Sequence, residues 1–200
     1  LGVTKSNKGS FWVGTFGDGL FEIDENNTQN SNLFKSSKQD INSISHDVIL
    51  TIFKDKNDGI WIGTLGGGIN YFEPDNQKIN HYNELNGLSN NVVMSFLENK
   101  GELYIGTFGG GLNKFNLKTS KFESIKNIEG QIIRCIYKDN KNTLWIGTYG
   151  NGLIKYNPTS GESEQILPNI VDDVWCIKKG ENNNLWLGTW GSGLIKYNTL

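Results

Sequence analysis

Proline is scarce in this 200-residue chain, with three in all, while glycine is abundant at 25. The glycines recur at fixed places, which fits hairpin turns and excludes a disordered low-complexity chain. No charge of one sign dominates: 19 Lys and Arg face 21 Asp and Glu, a formal net charge of −2. That balance gives no electrostatic footprint for nucleic acid. No apolar run is long enough to cross a bilayer, so direct membrane insertion of this segment is not expected. The opening residues Leu1-Gly-Val-Thr-Lys-Ser read as a strand rather than a leader, so any targeting segment is expected upstream. Histidine and cysteine occur twice each, too few and too scattered for a zinc site. No ten-residue stretch keeps a convincing helical period.

What is present is repetition. A nine-residue stretch occurs as Trp12-Val-Gly-Thr-Phe-Gly-Asp-Gly-Leu20 and Trp61-Ile-Gly-Thr-Leu-Gly-Gly-Gly-Ile69. It returns as Tyr104-Ile-Gly-Thr-Phe-Gly-Gly-Gly-Leu112, Trp145-Ile-Gly-Thr-Tyr-Gly-Asn-Gly-Leu153 and Trp186-Leu-Gly-Thr-Trp-Gly-Ser-Gly-Leu194. The intervals between first residues, 49, 43, 41 and 41, are those of a repeat architecture. The first four residues are those of a buried strand. Alternate residues share a face, so the indole of Trp61 and the bare Gly63 lie on one side. The ring is expected to fill the gap between stacked sheets, and the glycine to leave room for the next sheet's ring. Gly66 and Gly68 supply a tight hairpin turn.

Each repeat reads as four antiparallel strands, a to d. In the second, strand a is Val48–Phe53, b is Ile60–Thr64, c is Ile69–Phe72 and d is Lys78–Tyr82, with Pro74-Asp75-Asn76 closing strand c. Strand a recurs at Val92–Leu97, Ile132–Tyr137 and Val174–Ile177, and strand d at Asn32–Lys35, Lys121–Ile125 and Glu164–Leu167. The crossings from d to the next a shorten along the chain, from Ser36–Asp47 through Asn83–Asn91 to Asn127–Gln131 and Pro168–Asp173. Four strands per repeat of forty-odd residues is the unit of a β-propeller. The fold class is therefore all-β: residues 1–200 form a propeller of five four-stranded antiparallel blades, strand a innermost. The last blade is incomplete. The chain is either a five-bladed ring or a segment of a larger propeller.

The pattern W-[IVL]-G-T-x-G-x-G-[LI] resembles the two-component regulator propeller repeat. Asp55-x-x-x-Gly59-Ile-Trp61, Tyr156-Asn-Pro158-Thr-Ser-Gly161 and Gly87-Leu-Ser-Asn-Asn91-Val92 fit that family, and the resemblance covers essentially the whole chain. It implies seven blades and an extracytoplasmic sensor region of a bacterial histidine kinase or related receptor, the parent a dimer. It also implies a carbohydrate or similar small ligand, and no enzyme activity. This chain departs from the pattern in having five motif strands and no kinase or membrane segment.

The chemistry-bearing residues are few. Ser45-His46-Asp47 has the residue types of a catalytic triad, but contiguous residues cannot converge on one point, and they read as polar residues entering strand a. His81, alone on a strand d, reads as a surface residue. Asp55-Lys-Asn-Asp58-Gly and Asp139-Asn-Lys-Asn142 offer oxygens without the spacing of a calcium loop, and read as turns. Cys135 and Cys176 stand at equivalent positions of adjacent repeats and read as small buried apolar residues rather than a disulfide. Neither a cofactor nor a metal is expected. Trp61, Tyr104, Trp145 and Trp186 are expected between blades, and Trp12 at a more open end.

The rim is the remaining candidate. The residue after Gly-Thr varies as Phe16, Leu65, Phe108, Tyr149 and Trp190. Eleven before the motif aromatic, Leu50 and Val93 give way to Arg134 and Trp175. Arg134, Tyr149, Trp175 and Trp190 thus form a candidate platform for an oligosaccharide, since rings pack on sugar C–H surfaces and Arg donates planar hydrogen bonds. Two alternatives stand beside it: these aromatics seal adjacent blades, or Arg134 pairs with an acid such as Asp173. A protein–protein scaffold and a propeller-fold lyase or glycoside hydrolase are the competing functions. The rim shows no paired carboxylates for the latter.

Overall fold

The computed structural model describes residues 2–73, 78–166 and 173–200. Strands β1 (Val3–Lys5), β2 (Ser10–Gly14), β3 (Leu20–Asp24) and β4 (Ser31–Phe34) form the first sheet. The second holds β5 (Ile49–Lys54), β6 (Ile60–Thr64), β7 (Ile69–Glu73) and β8 (Lys78–Tyr82). The third holds β9 (Val93–Asn99), β10 (Glu102–Thr107), β11 (Leu112–Asn116) and β12 (Lys121–Ser124). In the fourth are β13 (Ile132–Lys138), β14 (Leu144–Tyr149), β15 (Leu153–Tyr156) and β16 (Ser163–Ile166). The fifth has three strands, β17 (Val174–Lys179), β18 (Asn184–Thr189) and β19 (Leu194–Asn198). Every sheet is an antiparallel meander in chain order. The first strands line up side by side, β1 against β5, β5 against β9, β9 against β13 and β13 against β17, so strand a is the innermost. Among the described residues the helical content is two short 3₁₀ turns, Glu84–Asn86 and Lys126–Ile128. Strand limits depart from the sequence reading by one or two residues. Pro74-Asp75-Asn76, Leu167 and all of the last crossing but Asp173 lie outside the described residues.

Hydrophobic burial between the blades is one-directional. Trp12 and Leu20 of blade one pack with Ile44, Ile49, Ile60 and Ile62 of blade two. Trp61 and Ile69 pack with Val93, Phe96, Leu103 and Ile105, and Trp145 and Leu153 with Val174, Ile177, Leu185 and Leu187. The motif aromatic thus always reaches forward, to the blade that follows. Exposure follows from this: Trp12 is 1% exposed, Trp61 2%, Tyr104 4% and Trp145 2%, but Trp186 is 38% exposed. This reverses the expectation for the two ends. Trp12 has blade two to cover it; Trp186, with Leu194 beside it at 68%, lies on the forward face of blade five.

Gly63 also has a different neighbour from the expected ring. A Cβ there would lie 2.6 Å from Thr51 Cγ2 and 2.8 Å from Val93 Cγ1. The next blade's first strand, not its ring, approaches over the glycine. At Gly14 and Gly106 the intruders are Ile49 and Ile133, the same position of the next blade. The rings fill the space farther out along the seam.

Polar side chains lock the turns. Asp55 Oδ1 accepts from the Asn57 and Gly59 N–H groups, and its Oδ2 from the Trp61 indole at 2.9 Å. Asp139 repeats the arrangement with Lys141, Thr143 and Trp145. Both carboxylates thus satisfy backbone donors and a buried indole, as turn residues do. Ser45, His46 and Asp47 each bond separately: Ser45 N–H to Asn70, His46 Nδ1 from Val48 N–H, Asp47 from Ser36 N–H. His81 is not a free surface residue. It is half-buried, with Nε2 2.8 Å from the Ser43 carbonyl. Of the cysteines, Cys135 is largely covered and burial pushes its thiol up to about 12, but Cys176 is exposed on blade five, against expectation. Both are free thiols.

Candidate functional site

The rim is built by the turn between strands b and c. In blade two the Thr64 N–H and hydroxyl both bond the Gly68 carbonyl, and the Gly67 N–H bonds the Thr64 hydroxyl. Gly68 sits at φ +76°, and a Cβ there would meet the Tyr82 carbonyl oxygen at 2.3 Å, so only glycine fits. The same Thr-to-Gly closure recurs at Thr15, Thr107, Thr148 and Thr189. Closing the turn this way turns the residue after Thr outward. Phe16 and Trp190 are 70% exposed, Tyr149 48%, Phe108 46% and Leu65 39%. Their backbones bridge to the next blade, Phe16 to Val48, Leu65 to Val92 and Phe108 to Ile132. The five side chains therefore follow one another around a single face.

The second row comes from a β-bulge in strand a. Thr64 pairs with Ile49 and Gly63 with Thr51, so the register shifts across Leu50; Arg134 and Trp175 stand at the same shift in their blades. A bulge re-aims one side chain out of the alternation. In blade three the bulged residue is Met94, since Thr107 pairs with Val93 and Gly106 with Ser95. Val93 is instead fully buried, a correction to the sequence alignment. The turn after β9 is one residue shorter than its counterpart in blade two, so counting back from Tyr104 lands one place early.

The four candidate residues come together where blades four and five meet. The Arg134 guanidinium carbon lies 4.4 Å from the centroid of Trp175 and 5.5 Å from that of Tyr149. Trp175 stacks on Trp190 with centroids 5.4 Å apart and planes 27° from parallel. The order is Tyr149, Arg134, Trp175, Trp190, with two residues from each blade. Trp175 is 44% exposed, so these rings are not sealed between blades. Nor does Arg134 pair with Asp173. Asp173 is buried, and its Oδ1 accepts from the Gly150 N–H at 2.7 Å. Among the described residues no carboxylate stands within ion-pair distance of the guanidinium, and its Nε is buried without a partner. Cation–π contact on both sides orients the guanidinium without using its donors.

Two features of this site escape a motif search. Arg134 is the only arginine in the chain, against 18 lysines, a signal visible by composition. Asp173 takes the place of Val48, Val92 and Ile132 in the other blades, and its side chain binds the rim turn of blade four. No cluster of three or more His, Cys, Asp or Glu able to hold a metal occurs among the described residues.

Comparison with known proteins agrees with the internal repeat. The family model for the two component regulator propeller matches residues 43–66 and 127–150. The extracellular domain named for the hybrid two component system BT3049 of B. thetaiotaomicron superposes with a TM-score of 0.83 at 25% identity, over 98% of this chain and 27% of that one. That of BT4673 from the same organism gives 0.80 at 24%, over 99% and 29%. Virginiamycin B lyase from Staphylococcus aureus shares the fold alone, at 15% identity with a TM-score of 0.73, over 98% of this chain and 69% of that one. The chain thus spans less than a third of the length of the two extracellular domains. No curated protein matches it. In repeat and blade, the chain is similar to the two component regulator propeller, whose family model matches two of its five repeats.

Proposed function

We propose that this chain is a non-catalytic ligand-sensing part of the extracytoplasmic region of a bacterial two-component receptor, a segment of a larger propeller in a dimeric parent. Its ligand is a carbohydrate or similar small molecule held on the rim by Arg134, Tyr149, Trp175 and Trp190, with no cofactor or metal. One observation carries this reading: an exposed stack of three aromatic rings and one guanidinium where blades four and five meet. Exposed rings of this kind pack on sugar faces, while the free donors of Arg bind hydroxyls or carboxylates. Likeness to extracellular sensor domains supports the receptor role. Contacts of this type give affinities of about 10 μM to 1 mM.

The test is a titration of a glycan panel followed by Trp fluorescence and calorimetry. At least one glycan should bind, and the Trp175→Ala/Trp190→Ala double variant should lose binding while keeping its circular dichroism spectrum. Binding that survives the double variant would place the site elsewhere. Product release from any bound glycan would point to the enzyme alternative. Failure of every glycan in the panel would favour the second reading, a protein-contact surface.

A further inference from the structure

The rim stack offers its aromatic and its cationic parts unequally. Trp175, in contact with both Arg134 and Trp190, is the more covered of the two indoles at 44% exposed. Trp190, 70% exposed, keeps an open face. A flat apolar surface of a ligand therefore has one ring to lie on. Arg134 differs. Tyr149 and Trp175 flank the guanidinium, and among the described residues no hydrogen bond uses its donors. Flanking rings hold the plane in place, so the fork is preorganised before a ligand arrives. Neutral hydroxyls can use such donors one at a time. A carboxylate matches them two at a time, with full charge assistance.

We propose that the rim selects a carboxylate-bearing saccharide, a uronic acid residue above all, with Arg134 as the residue that reads the carboxylate and Trp190 as the surface for the sugar ring. This rests on the ligand-binding reading above and narrows it. The buried, unpartnered Nε is the strongest point in its favour. A desolvated donor of a cation is costly to leave unmatched, and an anion beside the guanidinium offsets that cost even from the Nη side. The buried Asp173 has Oδ1 committed to the Gly150 N–H. Substituting lysine would keep the charge but lose the planar fork, so Arg134→Lys separates a general attraction for anions from recognition of a carboxylate.

The experiment uses matched pairs: oligogalacturonate, oligoguluronate and a hyaluronan tetrasaccharide, each beside its carboxyl-reduced neutral counterpart. Sodium acetate at equal ionic strength serves as the control for a free carboxylate. The wild-type chain should bind at least one acidic glycan about 10- to 100-fold more tightly than its reduced partner, and acetate alone should not compete below ~10 mM. In Arg134→Lys the ratio should fall severalfold, and in Arg134→Gln it should approach one while neutral binding persists. Trp190→Ala should weaken both members of a pair alike. Equal affinity for acid and reduced forms in the wild type overturns the selectivity but leaves the ligand-binding proposal standing. Failure of every acidic glycan overturns the selectivity too, and the neutral members then decide the broader reading. Competition by acetate as strong as by the glycan shows an anion site with no sugar recognition, which also overturns it. If Arg134→Gln unfolds, the Arg134→Lys ratio still decides.

Discussion

Trp145 and Trp186 occupy the same place in the same motif, yet their surroundings differ, which makes them a matched test of how the blades are held together. Trp145 is 2% exposed and lies against Val174, Ile177, Leu185 and Leu187, with Tyr197 edge-on at 5.7 Å. Replacing it by alanine returns roughly 150 Å² of apolar surface to the comparison with water, about 4 kcal/mol at ~25 cal/mol per Å². Losing the indole donor to Asp139 adds about 1 kcal/mol, since that carboxylate is only partly covered and can take up water. The sum is about 5 kcal/mol, consistent with the ~3–5 kcal/mol usual for such truncations. Trp186 is 38% exposed, so the same change should cost about 2 kcal/mol. In urea, at a slope of ~2–3 kcal/mol per molar, the two variants of the 200-residue chain should differ in midpoint by about 1 M. A Trp145→Phe variant, which keeps a ring but no N–H, should fall between wild type and Trp145→Ala. Equal midpoint shifts for Trp145→Ala and Trp186→Ala would refute the forward-facing seam.

Gly63→Ala should destabilise by about 1–3 kcal/mol, because the new methyl would overlap Thr51 and Val93 across a packed seam; an unchanged urea midpoint would show that the seam has slack. A thiol reagent at pH 8 should label one cysteine quickly, Cys176, while Cys135, whose thiol burial pushes up to about 12, reacts only as the chain opens; equal rates would contradict that burial. Stability should hold to about pH 9 and fall from there towards pH 12. Burial pushes Tyr104 up to about 12 as well, so both groups keep their protons in the folded state over a range where the unfolded chain loses them. Urea midpoints measured from pH 7 to 11 would check the sign, and a rise above pH 9 would be incompatible with it.

The blade was legible because the same physical problem is solved five times. Strand, turn and glycine positions repeat, and a pattern that repeats at forty-odd residues has few architectures open to it. The sequence also brought Arg134, Tyr149, Trp175 and Trp190 to one place, since departures from the repeat stand out against it. What a period cannot tell is direction. Whether Trp12 or Trp186 has a covering blade depends on which side of each sheet meets its successor, a matter of packing rather than spacing. Met94 was missed for a smaller reason, a one-residue difference in a turn that lies outside the motif. Asp173 stood only as an alternative partner for Arg134, while the partner of its Oδ1 is a backbone N–H of the neighbouring blade, a bond that side-chain identity does not reveal.

The forward reach of the motif aromatic gives the arc two unlike ends. Blade five shows an apolar surface with Trp186 and Leu194, while blade one shows the receiving surface, where Val3 is 65% and Phe11 36% exposed. These are the two halves of one seam, as Ile60, Ile62 and Phe72 show where blade two receives Trp12. In the language of assembly this is a heterologous, head-to-tail interface. Such an interface closes on itself when the rotation per unit divides the circle and otherwise continues from chain to chain. The contact between blades thus sets only their order and direction, and the rotation per blade sets how many complete a circle.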